Sequence, residues 1–385
     1  MIKLKIKPKN EEGTNFLYKF LATSFLAYMN RYASSKCPKT INAIKSTIQK
    51  FEEKLKNELR EPFFANFLSL TDRRLLKKKH YMYGAYLAAI SSFPILGKAC
   101  KDSSILNSMF AKTSAITSIK VLDNINDRLH DEPQAVKSLN KHLESFISNE
   151  FQFNNPKGSI EKFENSCFMM ARWAYELVQE GLNTNSPTLQ MYKEDFERYI
   201  NGQIRSMDQK KTEGETELSI DKYLRQVNEK GVGRIWLDVD FCFLEKDLIT
   251  LSNSELEAIE NVRIAADYFF KGCNIYDDIA DLNEDILLGI LNSVAFLALD
   301  RGYISKRDLE KPNKLIVRLK SNIVLREAVK LGDLIFLKGI EHLFKAKELA
   351  ELIDIDALIF GVRVLRAFSM RKWFIKEKDI ESLKS

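Results

Sequence analysis

Apolar residues recur every three to four positions along nearly the whole chain, the period of an amphipathic helix rather than the alternation of a strand. Ile116, Ile119, Leu122, Ile125 and Leu129 form one such stripe. The pattern breaks at residues 7–15, 154–158, 181–187, 210–217 and 311–313. Ser186 before Pro187 offers an N-cap followed by proline at the first helical position. Ser252 and Glu255 make a capping-box pattern. Pro133 marks the end of the helix that carries Leu129. About a dozen helices and no strand follow from these signals. No break is long enough for an interdomain linker, so the expected architecture is all-α, with residues 1–385 as one large helical domain and residues 1–70 as a candidate N-terminal helical extension. Residues 16–29 are apolar but interrupted by Lys19 and short of the roughly 20 residues a membrane span needs. They predict a core helix or one lying at an interface.

Composition narrows the class. With 15 Gly and 8 Pro in 385 residues, the chain lacks the punctuation of an all-β fold. The net charge of +6 is dispersed, without a basic stripe interleaved with aromatics, and gives no case for a nucleic-acid partner. It suits an anionic substrate or a weak attraction to anionic lipid. Five Cys, an odd number with no Cys-x-x-Cys, read as reduced thiols and a cytoplasmic location. The four His show no metal-ligand spacing.

Two acidic rows carry the candidate chemistry. Asp123 and Asp127 are four apart and share a helix face. Asp277, Asp281 and Asp285 stack along one face over two turns, with Asp278 beside them. A lone pair of Asp four apart is ordinarily a solvated face. The triple row differs, because no Lys or Arg interrupts residues 274–300 and its flanks are apolar: Ala265, Ala266, Phe269 and Phe270 before, Ile286, Leu287 and Leu288 after. Carboxylates concentrated in an apolar helix need a cation to offset repulsion and desolvation. Magnesium takes oxygen ligands and is held by a few carboxylates together with substrate phosphate.

With these rows the chain resembles the class I isoprenoid synthase superfamily, that is, terpene synthases and trans-prenyltransferases. Asp277-Asp278-Ile279-Ala280-Asp281 reads as a second Asp-Asp-x-x-Asp motif. Leu122-Asp123-Asn124-Ile125-Asn126-Asp127-Arg128 resembles the Leu-Asp-Asn-x-x-Asp-Arg segment of the bacterial large-terpene synthase group, which includes tetraprenyl-β-curcumene synthase. Asp277, Asp281, Glu284, Asp285, Leu291 and Asn292 resemble that group's later pattern, although only Gly289 and Ile290 stand where it has a Gly pair and an Asp. Gly202, Gln203 and Asp208 resemble a prenyltransferase Gly-Gln-x-x-Asp element, one residue out of step.

The resemblance implies a helical bundle and a magnesium-dependent synthase or cyclase (manganese is the alternative ion) that ionises an allylic prenyl diphosphate. It implies Asp123, Asp127, Asp277, Asp281 and Asp285 as metal ligands. Gly231 and Gly233 predict a helix break, with Lys230 and Arg234 near it, sharing a face, as cations for the diphosphate. Asn274 and a C-terminal Arg, Arg363 or Arg366, complete the substrate-binding set. Elimination, cyclisation and condensation with a second isoprenoid stay open. A prenyltransferase is the nearest rival, and the basic run Arg73–His80 is where it would hold a second diphosphate; but Gly84 follows that run instead of preceding it, which favours a synthase working on one diphosphate, and a solvated helix or an anionic-lipid contact is the more ordinary account of the run. A non-catalytic helical partner subunit is the third reading. A homodimer and a peripheral membrane contact are compatible with the resemblance.

Overall fold

A computed structural model describes residues 37–208, 219–248, 250–320 and 322–374. The stretch 16–29 and the breaks at 7–15 and 210–217 lie outside the described residues. Those described form fourteen α-helices, two short 3-10 turns and no strand. The helices are α1 Cys37–Glu58, α2 Phe67–Asp72, α3 Lys78–Leu96, α4 Asp102–Leu129, α5 Glu132–Ile147, α6 Ser159–Gln179 and α7 Pro187–Asp208. After them come α8 Ile220–Glu229, α9 Gly233–Leu248, α10 Asn253–Leu287, α11 Ser293–Asp300, α12 Pro312–Leu319, α13 Asn322–Lys345 and α14 Ile355–Phe374. No described helix is long and apolar enough to cross a membrane.

Local signals set the boundaries. Asp131 accepts a hydrogen bond from the Gln134 amide at 2.9 Å and, with Pro133 in the first turn, starts α5. The Ser252–Glu255 capping box starts the 35-residue α10. Ser186 is buried and accepts from the Leu189 amide at 3.2 Å as α7 begins. The chain leaves helix between Glu229 and Gly233, where glycine lets the backbone approach closely: a Cβ on Gly233 would lie 2.8 Å from the Ala266 carbonyl oxygen.

Helix α9 runs through the middle and keys its neighbours in register. Against α4 it is antiparallel. Asp247 accepts from Ser104 at 2.7 Å, and a turn or two higher Asp240 accepts from Ser108 at 2.6 Å and from the buried Lys112. Against α10 it is also antiparallel, with Arg263 on Asp238 at 2.9 Å and Arg234 on Asp267 at 2.6 Å. Helices α4 and α10 therefore rise in the same direction. Ser92 of α3 donates to Asp240 at 2.7 Å. The Asp354 amide donates to the Pro94 carbonyl at 2.8 Å, seating the start of α14 beside the end of α3, and Ser369 of α14 meets Cys273 of α10 at 3.2 Å. Helix α9 stops at Gly233, whereas α4 and α10 continue well beyond that level.

Glycine and aromatic residues interlock where α13 covers the outside of α10. Gly272 makes room for Phe336, Gly332 for Tyr276, and Gly339 for Phe269. On the far side, the buried Phe51 ring lies 5.4 Å from Tyr81, 6.0 Å from Phe110 and 5.9 Å from Trp173, joining α1 to the core. Aromatic pairs of this kind add roughly 0.5–1.5 kcal/mol each beyond area burial.

Candidate active site

Each helical residue turns the side chain by about 100° and raises it about 1.5 Å. On α4, Lys112 faces α9 through its bond to Asp240. Asp123 and Asp127 fall within about 60° of Lys112 around that helix. On α10, Ala266 abuts Gly233 of α9. Phe270, Asp277 and Asp281 fall within about 60° of Ala266. Heights agree as well. Asp127 stands about 22 Å above Lys112, and Asp277 about 21 Å above Arg263. Lys112 and Arg263 are themselves nearly level, because they pair with Asp240 and Asp238 of the same helix. Both acidic pairs thus rise from α9-facing sides, above the point where α9 ends.

Asp123 has a side chain 38% exposed and lies 3.1 Å from Lys120. Desolvation raises its pKa; Lys120 opposes that rise and Asp127 adds to it. Asp277 and Asp281 are exposed and Asp285 is half-buried. Asp285 lies further round the helix and accepts from Asn292 Nδ2 at 2.9 Å. Asn274 is half-buried on α10.

Asp278 behaves differently from its neighbour. It is buried, accepts from the Tyr223 hydroxyl at 2.8 Å and the Ser293 amide at 2.9 Å, and ties α8 and α11 to α10. Burial first of all pushes its carboxyl up to about 6, against the pull of those hydrogen bonds. Burial lowers the pKa of Lys230, and the charge of Asp278 partly restores it.

The expectation that Lys230 and Arg234 share a face needs correcting. The helix break separates them, leaving Lys230 in the turn within the field of Asp278. Arg234 lies in the first turn of α9, paired with Asp267 at 2.6 Å and Glu260 at 3.1 Å. Asp267 is about 15 Å below Asp277 along α10. Arg363 is exposed on α14. Arg366 bonds Asp333 at 2.7 Å, and Asp333 also takes the Tyr276 hydroxyl. Gly202 packs against the Glu229 backbone and Gln203 bonds Tyr199, while the side chain of Asp208 lies outside the described set. The run Arg73–His80 forms the turn into α3, where the Leu75 carbonyl accepts from Asn124 at 2.9 Å. That bond puts the basic run at the same end as Asp123.

Sequence reasoning passed over the buried network beneath the acidic rows. Asp195, Asp238, Asp267 and Glu260 share Arg198, Arg234 and Arg263 across α7, α9 and α10. Lone charges in an apolar pattern were the only hint of it.

The donor set at the acidic rows is all oxygen. Among the described residues, no three His, Cys, Asp or Glu gather closely enough to hold a metal by themselves. Two acidic rows on α9-facing sides, each short of a full ligand set, have the donor chemistry for a hard cation shared with a phosphate ligand.

The sequence matches no family model and no curated protein. Among solved structures, the ancestrally reconstructed protein SVS_A2 aligns with a TM-score of 0.51 at 12% identity, over 89% of this chain and 89% of that one. A linalool/nerolidol synthase from Streptomyces clavuligerus, in complex with 2-fluorogeranyl diphosphate, aligns at 0.47 and 10% identity, over 86% of this chain and 96% of that one. The likeness to SVS_A2 extends over nearly the whole of both chains and shows a shared all-helical fold.

Proposed function

We propose that the chain is a magnesium-dependent class I terpene synthase that ionises an allylic prenyl diphosphate and releases diphosphate. The observation carrying this reading is the placement of Asp123–Asp127 and Asp277–Asp281 on helix faces keyed to the same central helix, with Asp127 and Asp277 nearly level. Asp123 and Asp127 on one wall, with Asp277, Asp281 and Asp285 on the other, would hold the metal. Bound there, magnesium would polarise the diphosphate and neutralise its charge as a leaving group.

The chain's own groups divide the remaining work. Lys230, at the break, is the cation best placed to meet negative charge growing on the diphosphate. Arg234 reaches that charge only by leaving Asp267 and Glu260; in the arrangement described it fastens α9 to α10 below the rows. Arg366 aligns Tyr276 through Asp333, and Arg363 and Asn274 remain candidates for substrate contact. Ile116 and Phe270, on the same faces as the acidic rows and below them, offer apolar surface that keeps water from an allylic cation.

Incubation with prenyl diphosphates of increasing length, with and without magnesium, tests the reading. Metal-dependent diphosphate release is expected without any second substrate. No release from any chain length rejects it. A second reading, a chain-elongating or condensing prenyltransferase, gains support from the Leu75–Asn124 bond that brings the basic run to the Asp123 end. Product formation only when isopentenyl diphosphate is added would select that reading.

A further inference from the structure

Helix α5 and the start of α6 border a cavity of about 440 Å³, within the range of roughly 300–1,000 Å³ typical of small-molecule sites. The two helices bring opposite charges to it. Lys137 and Lys141, one turn apart on α5, line one side; Glu161 and Glu164, one turn apart on α6, line the other. Lys141 is engaged, donating to Asn154 with its ammonium 5.7 Å from the Phe151 ring centroid. Glu164 lies 3.6 Å from Nε2 of His130, whose Nδ1 is 2.8 Å from Asn126 Oδ1. Lys137 and Glu161 line the same cavity yet pair neither with each other nor with any other side chain among the described residues. Beside Lys137, Ser138 is 2% exposed, lines the cavity too, and its Oγ has no hydrogen-bond partner. A helical serine can return its hydroxyl to the carbonyl four residues back, as Ser166 does to Lys162 at 2.9 Å. Ser138 does not, and a buried hydroxyl left without a partner is costly. Its partner has to come from the cavity.

We infer that this cavity is a second binding site, outside the acidic rows, for a small zwitterion. Its oxyanion is received by Lys137 and the Ser138 hydroxyl, and its ammonium by Glu161 and Glu164. Ile160 and Phe168 offer apolar surface to the chain that joins the two charges. The sign pattern selects this class of ligand. A lone anion drawn to Lys137 is repelled by Glu161 and Glu164, and a lone cation meets the reverse. A molecule carrying both charges complements both sides, where partial exclusion of water strengthens each attraction. Ser138 then finds its acceptor in the oxyanion. A metal ion is a poorer fit, since His130, Glu161 and Glu164 do not converge closely enough to hold one. None of the acidic-row residues lines the cavity, so the site is independent of the functional reading above.

Calorimetry on the full chain, with divalent metal chelated, tests the site. Glycine, γ-aminobutyrate, ε-aminocaproate and phosphoethanolamine are titrated beside two single-charge controls, caproate and hexylammonium. At least one zwitterion is expected to bind tenfold or more tightly than either control, and the preferred length reports the separation of the two charged sides. Phosphoethanolamine against the amino acids tells which oxyanion the Lys137 side prefers. K137Q should weaken the zwitterion and caproate without weakening hexylammonium. E161Q should weaken the zwitterion and hexylammonium without weakening caproate, and S138A should weaken the zwitterion less than K137Q does. Lys137 is exposed and Glu161 half-buried, so both variants should melt as the wild type does, and that measurement accompanies each titration. Absence of zwitterion binding at millimolar concentration, a zwitterion no tighter than caproate, or an affinity unchanged in both K137Q and E161Q overturns the site. Each of these outcomes leaves the synthase reading standing.

Discussion

Asp123 and Asp277 stand on those sides of their helices that, lower down, grip one and the same helix. Asp123 follows Lys112 up α4 and Asp277 follows Ala266 up α10, while Lys112 and Ala266 meet α9 at Asp240 and Gly233. Asn replacement keeps the side-chain shape and removes the charge. D123N, D277N and D281N are each expected to lower kcat/KM for metal-dependent diphosphate release at least tenfold, a loss of about 1.4 kcal/mol or more in transition-state stabilisation. Melting temperatures should hold or rise, since like charges four apart oppose helix formation. Full turnover by D281N would remove Asp281 from the ligand set.

On the proposed reading, incomplete ligand sets on each acidic row make metal and diphosphate binding interdependent. Calorimetry should find weak magnesium binding to the protein alone and markedly tighter binding once inorganic diphosphate is present. Linkage requires the reciprocal gain for diphosphate when magnesium is added. Equal magnesium affinity in both conditions would contradict a shared site.

His142 provides a pH test on a residue outside the acidic rows. Its ring is buried and within 2.7 Å of Ser118 Oγ, and burial pushes its pKa down to about 3. The unfolded chain takes up this proton near pH 6.5. Between those values the unfolded state binds more protons, so stability falls as pH falls. The melting temperature of the wild type should drop more steeply from pH 7 to pH 4 than that of H142Q. Parallel curves would show that His142 does not drive the acid loss.

Arg263 joins Asp195 at 2.6 Å and Asp238 at 2.9 Å, with Glu260 as a third partner. Asp238 is fully buried, so removing the cation strands a charge in the interior. R263M should destabilise the fold by about 3–5 kcal/mol in denaturant titration. The double variant R263M/D238N should lose less than R263M alone, because the stranded carboxylate has gone. A double variant at least as unstable as the single one would assign the cost to packing.

Much of the fold was legible because its boundaries are local chemistry. The start of α10 at Ser252, the stop before Pro133 and the break at Gly231–Gly233 each follow from a cap, a proline or a glycine. The acidic rows were legible from spacing alone. Their common reference helix was not, since Lys112 and Asp240 are 128 positions apart and nothing in either neighbourhood names the other. Asp277 and Asp278 show the same limit at short range. They are adjacent and identical, yet one is exposed and the other buried under Tyr223, a difference set by which helices arrive around them. Arg234 likewise reads as a free cation in the sequence, but its partners come from a helix that begins some twenty residues later.

Because α9 is the common spacer for both walls, the gap between them is set from inside. The Gly–aromatic interlocks outside α10 prevent that helix from sliding to compensate. Altering residues along α9 is thus the route to changing the separation of α4 and α10 as a whole, whereas changes on either helix alone only reshape its own surface.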